Sequence, residues 1–441
     1  MAIPVEFLAI SMMVTLLVMI FMGFRLGFSM MFVGFAFGLY YRGPAILAMF
    51  MNSSFGVMQI SVLISIPLFV FMGILLEKSG VAEKLFETVY HAMGSLRGSL
   101  AITVILISTL FAACTGVIAA SVTTMALVGL PAMIARKYDK GLACGVVCAG
   151  GTLGILIPPS VMLVVMGPMC NLSVTKLFAG AFMPGFLMSS LYLIYVVMVS
   201  WLRPEVAPAI TKEELANYKD ENIVLKILFY ALPMIFLLVA VLGSIMAGLT
   251  APTEASSLGV LGAGLIALCY RKLNWRTVFE AVLETIKVTC MVMFVNMGAT
   301  MFTAVFMFMR GGHIVENLMM SLGLSSGGLI FLMMFILFIL GMVLDWVGIL
   351  YIVIPVFLPI VIKLGIDPLY FMLMVAINLQ MSFLTPPFAS AIFFLRGVAP
   401  AEVTTKDIYR GVVPFVLLQA ITLYLCYLFP QIVMWLPNMG A

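Results

Sequence analysis

The chain has 441 residues, of which 64% are hydrophobic and only 9% charged. A soluble domain is about 45–50% apolar and about 25% charged, so a water-soluble surface cannot be built at this length. Soluble enzymes, nucleic-acid binders, secreted modules and disordered chains are excluded. An all-α polytopic membrane protein remains, because apolar runs such as 331–344 do not alternate as barrel strands must.

In chain order, spanning helices are expected near 5–23, 26–41, 59–77, 177–202, 224–247, 256–270, 286–309 and 411–429. The first apolar run continues to Met22 with no basic stretch before it, which predicts a retained helix and no cleaved signal. Residues 98–136 and 327–364 are each nearly twice a spanning length, with small or polar residues mid-run, and are predicted to be re-entrant hairpins. Each is followed by an apolar segment, 141–170 and 368–397, interrupted by a double proline. Such a break frees backbone groups that cannot be left bare in lipid, so broken helices mark a cavity. Residues 203–226 form a polar stretch that reads as a cytoplasmic linker, and 271–284 reads as an amphipathic helix at the interface. The seven cysteines form no CxxC and lie in apolar stretches, where they read as buried small hydrophobes.

The two sides of the linker match. The chain's two Pro-Pro pairs, Pro158-Pro159 and Pro386-Pro387, lie 228 positions apart, and each follows another proline, Pro131 or Pro359, by 27. Gly23 and Gly248 repeat at an offset of 225, and Pro184 and Pro414 at 230. Residues 1–202 and 227–441 are therefore expected to be two copies of one unit. If the short connections alternate across the membrane, 18 of the 22 basic residues fall on one side, which makes that side cytoplasmic. The first hairpin then opens to the cytoplasm and the second to the outside, so the repeats are inverted. Inverted repeats with discontinuous helices indicate a secondary transporter with its site near the midplane.

Two acidic residues lie apart from loops and interfaces. Asp345 sits mid-run in the second hairpin, where a carboxylate must be paired, hydrated or cation-bound. Glu254 opens a helix, where Thr253 as cap and a carboxylate at the positive helix end give it a structural role. At the first hairpin tip, Thr115 and Gly116 offer a hydroxyl and carbonyls to a hard cation such as Na⁺, with Gly151, Thr152 and Gly154 nearby. In the second half, Thr385 and Pro386 stand opposite Asp345 to the same end. Half-helix ends at both breaks aim amide dipoles inward, which suits an anionic substrate group. The residues expected to line its path are Thr115, Pro158, Pro159, Ser160, Trp346, Ser382, Pro387 and Ser390. The G-x-S-x-G at 323–327 lacks a preceding strand, and with only His91 and His313 in the chain it is not read as a nucleophile elbow. No enzymatic activity and no organic cofactor are expected.

The runs 111–116, 150–160, 176–185, 250–254 and 384–388 resemble the large membrane subunit of tripartite ATP-independent periplasmic (TRAP) transporters. The resemblance covers essentially the whole chain. It implies the elevator-type architecture of the ion-transporter superfamily, in the inner (cytoplasmic) membrane of a bacterium or archaeon. It also implies Na⁺-coupled import of an organic acid, with a small four-helix membrane subunit and a periplasmic substrate-binding protein as partners. Members of the family usually carry Ser-Gly-Ser at the first hairpin tip, where this chain has Cys114-Thr115-Gly116. A stand-alone sodium/dicarboxylate symporter and an ion channel are the alternatives.

Overall fold

The computed structural model describes residues 4–94, 96–209, 222–387 and 389–439, and among these every regular element is a helix. Among the described residues, ten helical stretches are long and apolar enough to cross a membrane. The chain is a multi-pass membrane protein.

Both long runs fold as helical hairpins. The first pairs Ser99–Thr115 with Ile118–Ala135 around Gly116, which adopts a left-handed φ of 63° at the tip. The second pairs Ser326–Gly341 with Trp346–Lys363, and Asp345 is the N-cap of its second arm. Both apolar segments behind them are broken at their double prolines, into Lys140–Leu156 and Val161–Met169, and into Pro368–Ser382 and Ser390–Val398. A proline ring cannot donate into the helical ladder and clashes with the preceding turn, so two in a row stop it. Gly23 and Gly248 also end corresponding helices, Val5–Phe21 and Ile223–Met246, at positive φ.

Three expectations are corrected. The 271–284 segment is not a separate interface helix: Asn274 Oδ1 accepts the Thr277 amide at 2.8 Å and starts one 34-residue helix, Trp275–Phe308. That helix is about 50 Å long at 1.5 Å per residue, so its charged first turns project beyond a hydrocarbon layer of about 30 Å. The run expected at 59–77 is helical over Ser61–Lys78, opening with the 3₁₀ turn Ser61–Ile64, and a separate helix Ile46–Met58 precedes it. Thr253 is not a cap. The helix starts at Pro252, and Glu254 Oε2 accepts the amide of Ala251 at 3.1 Å, which keeps Glu254 in a structural role. Finally, Cys269 and Cys290 are exposed, unlike the other five cysteines, because they lie on outward faces of spanning helices.

Helices from the two sides of the linker pack on one another. Leu26–Arg42 lies along Trp275–Phe308, Ser65–Lys78 along Pro252–Cys269, and Lys140–Leu156 along Thr405–Leu428. Lys140–Leu156 is buried from Gly141 to Leu156, enclosed by both arms of the first hairpin and by Thr405–Leu428. Small residues permit this, since backbones in lipid gain their affinity from close approach. At Gly145 a Cβ would lie 2.1 Å from the carbonyl oxygen of Gly411. Of the 203–226 linker, residues 210–221 lie outside the described residues. Its start straps back onto the base of the first hairpin: the amide of Asp139 donates to Val206 O at 2.9 Å, and that of Gly98 to Ala207 O at 3.2 Å.

Candidate functional site

The first hairpin tip presses into the first break. A Cβ on Gly116 would meet the carbonyl oxygen of Pro159 at 2.7 Å, and one on Gly154 would meet Val117 O at 3.5 Å. Gly151 lies equally close to the second arm, where a Cβ would be 3.0 Å from the Val122 amide nitrogen. Thr115, Gly116, Gly151, Gly154 and Pro159 are therefore gathered in one place. Thr115 is 2% exposed and its Oγ1 has no hydrogen-bond partner. Burying a hydroxyl without a partner costs about 1–3 kcal/mol, so a buried hydroxyl of this kind points to something that binds it.

Two neighbours are already engaged. Thr152 Oγ1 donates to Ala149 O within its own helix at 2.9 Å, and Ser160 Oγ donates across the break to Ile155 O. Each keeps only lone pairs for a ligand. The sequence reading passed over Ser108, whose buried Oγ is unpartnered and lies 2.8 Å from where a Gly150 Cβ would sit. Ser121 Oγ is unpartnered too.

In the second break, a Cβ on Gly341 would lie 2.1 Å from Ser382 Oγ, so the end of the first arm meets the end of Pro368–Ser382. Ser382 and Ser390 hydroxyls are buried without partners, whereas Thr385 Oγ1 donates to Met381 O at 2.7 Å. The amide of Ala391 donates to Phe383 O at 3.2 Å and closes the loop. Trp346 is 9% exposed and packs in the core. Asp345 is half-buried at the positive end of its helix, with its carboxylate against the backbone amides of Trp346 and Val347. Pro386 and Pro387 are exposed, in contrast to the buried Pro158 and Pro159.

Asn378 and Gln380 were not singled out from sequence. Both are fully buried, Asn378 Nδ2 donates to Met334 O at 2.8 Å, and neither polar atom of the Gln380 amide has a partner. Their signal was present as amides inside an apolar helix, where unpaired polar groups are costly.

Two cavities flank Trp275–Phe308. One, of about 260 Å³, lies between the first hairpin at Thr115 and Thr123 and the wall formed by Gly73, Glu77, Glu284 and Lys287. The charges of this wall were also unforeseen. Lys78 beside it bridges Glu280 at 3.3 Å and Glu284 at 3.1 Å. The other, of about 430 Å³, lies between Asn296, Thr300 and Thr303 on this helix and Tyr351 and Pro355 of the second hairpin.

Comparisons with known proteins agree with this architecture. The family described as "Tripartite ATP-independent periplasmic transporter, DctM component" matches residues 13–432. A C4-dicarboxylate TRAP transporter large permease protein of Pseudomonas aeruginosa is 29% identical over 379 residues, covering 85% of this chain and 86% of that protein. A sialic acid TRAP transporter large permease protein of Vibrio cholerae is 26% identical and covers 96% of each chain. Among solved structures, the YdaH transporter of Alcanivorax borkumensis, described as having an unusual topology, superposes with a TM-score of 0.63. It does so at 14% identity over 90% of both chains, which is a likeness of fold.

Proposed function

Because the chain belongs to the DctM component family of tripartite ATP-independent periplasmic transporters, we propose that it is the large permease subunit of a sodium-driven importer of an organic acid. It is a multi-pass inner-membrane protein and not an enzyme. The relatives are named for C4-dicarboxylates, sialic acid and isethionate, all of them organic anions. Delivery by a periplasmic binding protein and assembly with a small membrane subunit follow from the tripartite family.

The observation that carries the reading is the first tip. A buried, unpartnered Thr115 hydroxyl stands where Gly116 abuts the Pro159 carbonyl. Oxygen ligands alone suit a hard cation such as Na⁺. The free hydroxyls of Ser382 and Ser390, with the exposed second break, offer donors to a carboxylate. The two cavities on either side of Trp275–Phe308 support an elevator motion. In it, hairpins and broken helices of two inverted repeats slide against this helix and present the site to each face in turn.

Proteoliposomes test this. With the small subunit and cognate binding protein, a sodium gradient should drive saturable uptake of the acid. Thr115→Val should raise the sodium concentration for half-maximal uptake about tenfold or more, the loss of one ligand hydroxyl being about 1.4 kcal/mol. Sodium-independent uptake would overturn the coupling. Robust uptake by this chain alone would favour a stand-alone symporter, and large conductances a channel.

A further inference from the structure

Away from both breaks, a cavity of about 360 Å³ opens between the end of Val174–Leu202 and the start of Thr405–Leu428. Arg203 and Arg410 stand on its walls, one from each side of the linker. Both are exposed, and neither forms a salt bridge among the described residues. The neighbouring carboxylates are engaged as helix caps. Asp139, also on the wall, accepts the amide of Leu142 at 2.9 Å, and Asp407 accepts the amide and hydroxyl of Thr404 at 2.9 and 2.6 Å. Two guanidinium groups therefore share a concave site in which neither forms an ion pair among the described residues, although Arg410 also lies within reach of the Asp407 charge. The planar fork of arginine matches a phosphate better than it matches any other common anion except a carboxylate.

The rest of the cavity is apolar. Tyr195, Val199, Leu202 and Pro414 line it, and beyond them the outer faces of the two helices expose Ile194, Met198, Val413 and Leu417. Trp201, 74% exposed, and Tyr409, 43% exposed, sit beside the two arginines in sequence. Aromatic side chains so placed belong at the level of lipid headgroups. A free phosphate would use the arginines and leave the apolar strip bare. A phospholipid uses both, and basic pockets between spanning helices bind anionic headgroups. We infer that this cavity holds the phosphate of an anionic phospholipid, with its acyl chains along the groove between Val174–Leu202 and Thr405–Leu428. The lipid adds to the interior contacts of the two helices, where Gln419 Nε2 donates to the Tyr192 hydroxyl at 2.8 Å and the Phe415 ring packs edge-on against Tyr192 and Tyr195.

The test uses the purified full chain in neutral detergent, with thermal unfolding and native mass spectrometry as readouts. Phosphatidylglycerol should leave a retained adduct and raise the unfolding midpoint, while phosphatidylcholine or inorganic phosphate at equal concentration should do neither. Replacing both arginines, Arg203→Gln with Arg410→Gln, should weaken phosphatidylglycerol binding about thirtyfold. Equal retention by wild type and variant overturns the assignment, and so does an equal shift from inorganic phosphate, which would mean a free-anion site. If the double variant does not fold, Val199→Trp fills the cavity with both arginines in place. Loss of the adduct supports the site, and an undiminished adduct overturns it.

Discussion

A Cβ on Gly411 would lie 1.9 Å from the carbonyl oxygen of Gly141, so the helix Thr405–Leu428 and the first broken helix meet backbone to backbone. No rotamer change relieves that contact, because both partners are main chain. Gly411→Ala should destabilise the protein by about 1–3 kcal/mol or more, as overpacking does. Gly264→Ala, with nothing within 4 Å of its Cβ, should be neutral or stabilise by about 0.5–1 kcal/mol through helix propensity. Thermal unfolding in detergent separates the two, and equal midpoints would contradict the close contact.

Asp345→Asn should fold and insert normally, since asparagine is as good an N-cap as aspartate and loses the burial cost of a charge. Sodium stimulation of uptake should disappear with the negative charge. Wild-type sodium dependence in this variant would remove Asp345 from the coupling site.

Inverted halves require the two hairpins to open to opposite faces, which labelling tests. A membrane-impermeant thiol reagent should reach Lys137→Cys, at the base of the first hairpin, only from the cytoplasm. It should reach Lys363→Cys, at the base of the second, only from outside. Both reacting from one side would contradict the inverted halves.

Outside the spanning segments, the Lys363 ammonium donates to Glu316 Oε1 at 2.7 Å and holds that carboxyl below the usual glutamate range. A carboxylate with a lowered folded value stabilises at pH above its unfolded value and loses that contribution as pH falls through the folded one. Gly311–Ser321 should therefore loosen from the second hairpin as pH falls below the ordinary glutamate value of about 4.3. Hydrogen exchange of that helix should accelerate over this window in wild type and not in Glu316→Gln. An unchanged exchange rate in wild type would mean that the pair holds nothing.

The breaks and hairpin tips were legible because proline acts locally: Pro158-Pro159 and Pro386-Pro387 stop a helix whatever surrounds them. What each hydroxyl does was not legible. Thr115 and Thr152 look alike in sequence, yet one is left without a partner and the other donates to its own helix. That difference depends on where Gly116 and Pro159 meet, a contact between segments more than 40 residues apart. The charged wall at Glu77, Glu284 and Lys287 was missed for the same reason. Its residues read as cytoplasmic ends until helices from opposite sides of the linker place them against a hairpin. The unbroken helix Trp275–Phe308 was hidden by its change from charged to apolar composition, which alters its surroundings and not its backbone.

Val206 and Ala207 are stitched to Asp139 and Gly98, which anchors the N-terminal end of the linker to the first hairpin itself. Any displacement of that hairpin must carry Val206 and Ala207 with it, so the start of the linker belongs to the body of the hairpin and not to the connection between the two sides of the chain.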